Sequence, residues 1–238
     1  MENRPYARLA SLKALAVLAL ALCAAPAAGR TNVCAPPDAA SAEAFVAGLH
    51  DGARKILLGA ENPVADMVAF ISRNVEIERV AQYALGPAWN GATPKARAEY
   101  VKLFRATTLR TLAGHIVLYD GADYRVVQSQ ATGEDEFLVT STITPKDGGS
   151  FGVAWRVGAQ GCRLTARDVV NGGVSLVVTK RQEFASVIAR EGVDGLLRRL
   201  RDLAVRQRKG TAGALDSGEE VLVDIVLRAA EKLGSSRF

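Results

Sequence analysis

Four stretches with a period of two constrain this chain more than anything else in it. They read "DYRVVQSQA" (123–131), "EFLVTSTIT" (136–144), "SFGVAWRVG" (150–158) and "GCRLTARDVV" (161–170), separated by "TGED", "PKDGG" and "AQG". Alternate residues of an extended chain point to the same face, and short glycine-bearing connections between such segments make hairpins. Phe151, Val153, Trp155 and Val157 then share one face of the third strand, and Phe137, Val139 and Ile143 one face of the second. The result is an antiparallel meander with one strongly apolar face. Something apolar has to cover that face, and with 49% apolar residues the rest of the chain can supply it.

The flanking segments carry a helical period. Ser41 starts a helix with Phe45, Leu49 and Ile56 toward one side, Pro63 suits the first turn of a second, and Asn74 and Glu76 open a third that stops at Gly86-Pro87. Thr93-Pro94 starts the longest helix, through about Tyr119, with Tyr100, Phe104, Thr108, Leu112, Ile116 and Tyr119 in one stripe. That stripe is either a core face or the wall of an apolar cavity, since both demand a greasy surface turned inward. Helical spacing returns near Val178 in two pieces punctuated by Gly192 and Gly195, followed by a linker from Lys209 and an amphipathic tail helix with Leu222, Ile225, Val226, Ala229 and Leu233 on one side. Helices, meander, helices is an α+β layout. We expect a twisted antiparallel sheet of four to five strands, wrapped by helices around an apolar cavity of the kind that encloses ligands. Its expected lining is Phe104, Leu112, Ile116 and Tyr119 from the long helix, and Val139, Phe151, Val153 and Trp155 from the sheet.

The N-terminus is set aside from the fold. Arg4, Arg8 and Lys13 precede an unbroken apolar run over 14–25, and Ala25-Pro26-Ala27 has the small-residue spacing of a cleavage site, the order of a secretory signal. The expected organisation is a signal peptide (1–27), a flexible lead (28–40), an α+β domain (41–208), and a linker with a C-terminal helix (209–238). Cleavage lowers the formal charge from +5 to +3 and leaves Cys34 and Cys162. In an exported chain these two are either a disulfide or a pair of thiols with Cys162 acting as a small core residue. The basic residues are dispersed, which argues against nucleic acid as partner.

No catalytic or cofactor-binding constellation stands out. His50 and His115, the only histidines, are far apart and lack metal-ligand spacing, so each reads as a helix-surface or partly buried residue. There is no phosphate-binding G-x-x-x-x-G-K-[ST] loop and no G-x-S-x-G elbow. Asp168 is the one acid to weigh. Strict alternation puts it on the side of Cys162, Leu164 and Ala166, where a buried acid suits a small isomerase or hydrolase; the simpler reading has it accepting hydrogen bonds from the turn over 172–175.

"GGVSLVVTKRQEFASVIAREGVDGLLRRL" (172–200) resembles the C-terminal signature of the toluene-tolerance, or MlaC-like, family of periplasmic phospholipid-binding proteins. The matching positions are Asp168-Val169, Gly173-Val174-Ser175-Leu176, Lys180-Arg181, Phe184 and the Gly192-x-x-x-Leu196 pair, with "LGPAW" (85–89) and "FRATTLRTLAGHIVLYDG" (104–121) as supporting pieces. The chain departs from the pattern at Leu112, where many relatives have an aromatic, at Cys162, where they have Trp, and at Gly172, which replaces an acid. The resemblance implies a shuttle without enzyme activity or cofactor, holding acyl chains inside a helix-wrapped sheet. Its implied partners are an outer-membrane lipoprotein–porin complex and an inner-membrane ABC transporter with an MCE-domain subunit. A hopanoid-associated branch of the family makes hopanoid-type lipid the alternative cargo.

Overall fold

All four alternating segments are strands in the computed structural model, which describes residues 35–117, 121–146 and 148–209. The strands are β1 (Asp123–Gly133), β2 (Glu136–Thr144), β3 (Phe151–Gln160) and β4 (Arg163–Asn171), joined by a two-residue β5 (Val174–Ser175). They form one open antiparallel sheet in the order β1-β2-β3-β4-β5. β5 is too short to show a period of two. It exists because Gly172 and Gly173 both take positive φ (55° and 79°), the requirement of a tight hairpin turn, which brings Val174 opposite Asn171. The exposed edge strand β1 carries irregularities between Val126 and Gln128 and between Ala131 and Gly133, a common way of blunting an edge against further pairing.

Among the described residues, five helices precede or follow the sheet at the places the caps dictate, and a single turn, α4 (Ala88–Gly91), links two of them. α1 (Ala39–Gly59) begins two residues before the expected start: Asp38 is the N-cap, and Ser41 completes a reciprocal capping box. α2 (Pro63–Asn74) has Pro63 in its first turn and Asn62 accepting from the Ala65 N–H. α3 (Ile77–Leu85) ends at Gly86, whose φ of 62° closes the helix before Pro87. α5 (Pro94–Val117) is capped by Thr93. α6 (Leu176–Arg208) is the longest, and Gly192 (φ 69°, ψ −179°) breaks it into the two pieces expected. A Cβ at Gly192 meets nothing within 4 Å, so the backbone conformation rather than crowding calls for glycine there.

Two apolar cores result. One is helical, built from α2, α3, α5 and α6 around Tyr100, Phe104, Phe184, Leu196 and Leu200. The other lies between α1 and the sheet, with Ala42 and Val46 against Phe137, Val139 and Val157. The edge beyond β4 is tied to the helices: Val75 forms a parallel bridge with Ala166, and the Glu76 N–H donates to the Ala166 carbonyl. Glu76 does not cap α3 with its side chain; its carboxylate accepts from Arg167 Nε (2.7 Å) and Gln160 Nε2 (2.6 Å) instead. The segments expected to be a signal peptide, a linker beyond Lys209 and a tail helix lie outside the described residues, and among those described no helix is long and apolar enough to cross a membrane.

Candidate functional site: an apolar cavity between sheet and helices

Where the two cores fail to meet, a cavity of about 320 Å³ remains, within the size range of small-molecule sites. α1 contributes Leu49 and Ala53, α2 contributes Met67, Phe70 and Ile71, and α6 contributes Phe184 and Leu200. Of the residues expected to line it, Phe104, Leu112 and Ile116 do so from α5, and Phe151, Val153 and Trp155 from β3. Val139 does not. It is on the expected face, but α1 lies directly over it and it is fully buried with Ala42 and Val46. Tyr119 lies outside the described residues.

The stripe on α5 answers its two readings by dividing. Its first half is core: Tyr100 is fully buried, donates its hydroxyl to the Ala81 carbonyl (2.9 Å) and packs with Phe104 and Phe184, ring centroids 5.7–6.1 Å apart. Burial pushes the Tyr100 phenol well above its ordinary pKa. Phe104 stands at the boundary, packed in this cluster and bordering the cavity, and the second half, from Thr107 to Ile116, is cavity wall.

That wall has polar members the apolar count passed over. Thr107 donates to the Leu103 carbonyl (2.9 Å), and Thr111 accepts from Gln207 Nε2 (3.0 Å). His50 is buried rather than on the helix surface, 8% exposed, and lines the cavity from α1. Its ring stacks on Tyr124 at 4.7 Å, nearly parallel, and meets the Trp155 edge at 5.6 Å. Burial lowers its pKa to about 4 against a small opposing pull from Asp51, so the imidazole is neutral at pH 7. The signal for His50 was available: it falls four residues after Val46, on the buried side of α1.

Asp168 belongs to the fold. A bulge at Arg167 breaks the alternation of β4, pairing Ala166 with Val157 and Asp168 with Arg156, so Asp168 leaves the side of Leu164 and Ala166. One carboxylate oxygen accepts from the backbone N–H groups of Val169 (2.8 Å) and Val177 (3.1 Å), the other from the Ser175 hydroxyl (2.6 Å). Ser175 Oγ in turn accepts from the Val178 N–H (3.0 Å) as the N-cap of α6. The acid therefore clamps the sheet to the start of α6 at the border of the cavity. Among the described residues no group of three or more His, Cys, Asp or Glu is placed to hold a metal. Cys162 is disulfide-bonded, and Cys34 lies outside the described residues.

Residues 44–202 match the family model described as MlaC protein. The fold is similar to that of the phospholipid-binding protein from Ralstonia solanacearum, solved in complex with a phospholipid. That protein is 24% identical to this chain, with a TM-score of 0.60 over 70% of this chain and 98% of its own.

Proposed function

This chain belongs to the MlaC protein family, and from that premise we propose that it is a periplasmic lipid-binding shuttle that carries phospholipid between the outer and inner membranes. The observation that carries the reading is the apolar cavity between sheet and helices. Each acyl methylene left in water costs about 0.8 kcal/mol, so two long chains would cost on the order of 20 kcal/mol if bare. An apolar interior cancels most of that, and movement from bilayer to cavity is then nearly balanced and needs no catalytic group. The lining of Phe104, Leu112, Ile116, Phe151, Val153 and Trp155 is of the kind that holds acyl chains, and the phospholipid complex of the similarly folded Ralstonia protein supports the same ligand class.

The shuttle works in the periplasm after cleavage of the signal at Ala27. Its docking partners are an outer-membrane lipoprotein–porin complex and an inner-membrane ABC transporter with an MCE-domain subunit. A Cys34–Cys162 disulfide ties the N-terminal lead to the start of β4 in this reading. Transfer of a fluorescent phospholipid from donor to acceptor vesicles tests the function. The wild-type protein should accelerate transfer in proportion to its concentration, and Leu112→Trp, which fills the cavity, should abolish the acceleration while the fold persists. Wild-type protein that leaves the spontaneous rate unchanged would reject the proposal.

A further inference from the structure

His50 brings a buried ring nitrogen to the cavity wall. Several other polar side chains of the wall hydrogen-bond within the protein: Asn74 donates to the Phe70 carbonyl (2.8 Å), Thr107 to that of Leu103, Trp155 Nε1 to Ser141 Oγ (3.0 Å), and Arg167 to Glu76. Nε2 of His50 is buried and has no hydrogen-bond partner among the described residues. The ring is held by its stack on Tyr124 and its T-shaped contact with Trp155, which fixes its plane in the cavity wall. Leaving a buried polar atom unsatisfied costs roughly 1–3 kcal/mol, and a purely aliphatic cargo would leave this one so. A phenylalanine or leucine at position 50 would serve an acyl chain better.

Resting on the lipid-carrier reading, we propose that His50 is a recognition residue that hydrogen-bonds an uncharged oxygen of the cargo inside the cavity. A neutral imidazole nitrogen is a donor or an acceptor according to its tautomer. It therefore suits an ester carbonyl, which accepts, or a hydroxyl, which does either. A phosphate oxygen is the poorer match for this ring, because the neutral imidazole offers no charge and its ring neighbours Tyr124 and Trp155 are aromatic. The cargo class is thus a lipid with a hydrogen-bonding oxygen drawn below the surface, and His50 makes the site discriminate between lipids of equal chain length.

Matched probes test this. Binding of diacyl phosphatidylglycerol, its dialkyl-ether analogue, and the ether analogue carrying one hydroxyl on a chain is measured on wild-type protein, His50→Phe and His50→Gln. The expected result is wild-type binding of the diester or the hydroxylated ether about five- to thirtyfold tighter than the plain ether. His50→Phe should bind all three alike, and His50→Gln should keep part of the preference. Preference for the diester identifies the oxygen as a carbonyl, and preference for the hydroxylated ether as a hydroxyl. Imidazole 15N resonances of the wild-type protein give a second readout independent of the variants: Nε2 should move on loading the preferred lipid and not on loading the plain ether. Equal wild-type affinity for the three probes, or a preference that survives in His50→Phe, overturns the inference while leaving the carrier reading intact. Failure to bind any of them overturns both.

Discussion

The two halves of α5 carry the same apolar stripe and do different things. At Tyr100 the stripe closes into an aromatic cluster with Phe104 and with Phe184 of α6, and Phe104 forms the boundary with the cavity. One to three turns later, at Thr108, Leu112 and Ile116, the stripe faces open space bounded by the sheet. The residues on the stripe do not decide which half is core. What lies opposite does: a large ring from a neighbouring helix in one case, and a sheet held away by α1 and the β4 clamp in the other. A cavity in such a fold is a place where the covering element is kept at a distance, and the stability of the molecule resides in the contacts that keep it there.

This contrast is open to direct tests. The largest effect belongs to the closed half. Tyr100→Ala should destabilise the protein by about 3–5 kcal/mol in urea unfolding, as expected for an emptied aromatic site. Next comes the ring that faces the cavity from α1. The pKa of His50 is about 4 in the folded protein against an ordinary 6.5, so between those values the unfolded chain takes up a proton that the folded one refuses. Stability is then lost as pH falls from about 6.5 toward 4, by about 3 kcal/mol at most, and is fully present above 6.5. Unfolding free energies at pH 7 and pH 4.5 should therefore fall more for wild type than for His50→Phe. The smallest stability effect belongs to the open half: Leu112→Ala should cost about 2 kcal/mol, because Leu112 packs against the helical core on one side and borders the cavity on the other. A loss at Leu112 equal to that at Tyr100 would erase the distinction between the halves.

Much of this was legible in the sequence. The meander could be read because its strands have one covered face, which imposes alternation, and because its turns are short. The helix ends could be read from Pro63, Gly86-Pro87 and Thr93-Pro94. What could not be read depends on tertiary packing. Val139 has the right face but sits under α1, a matter of where a helix crosses a sheet. Asp168 changes side because of one extra residue in β4, and nothing at Arg167 announces a bulge. His50 falls four residues after Val46, which places it on the buried side of α1, but its stack on Tyr124 and its contact with Trp155 depend on where the sheet lies and could not be read from the sequence.

The disulfide offers a narrower check on the closed side of the sheet. Intact-mass analysis of unreduced mature protein should show a chain two hydrogens lighter than its reduced form, and peptide mapping should join Cys34 to Cys162. Two free thiols would remove the proposed tie between the N-terminal lead and β4.

The central claim is that the gap beside α5 is a lipid pocket and not a packing defect, and native mass spectrometry of the purified mature protein tests it most directly. A mass excess of one phospholipid per chain is expected, released on extraction and lost in Leu112→Trp. A protein that is empty as purified and takes up no lipid from vesicles would contradict it.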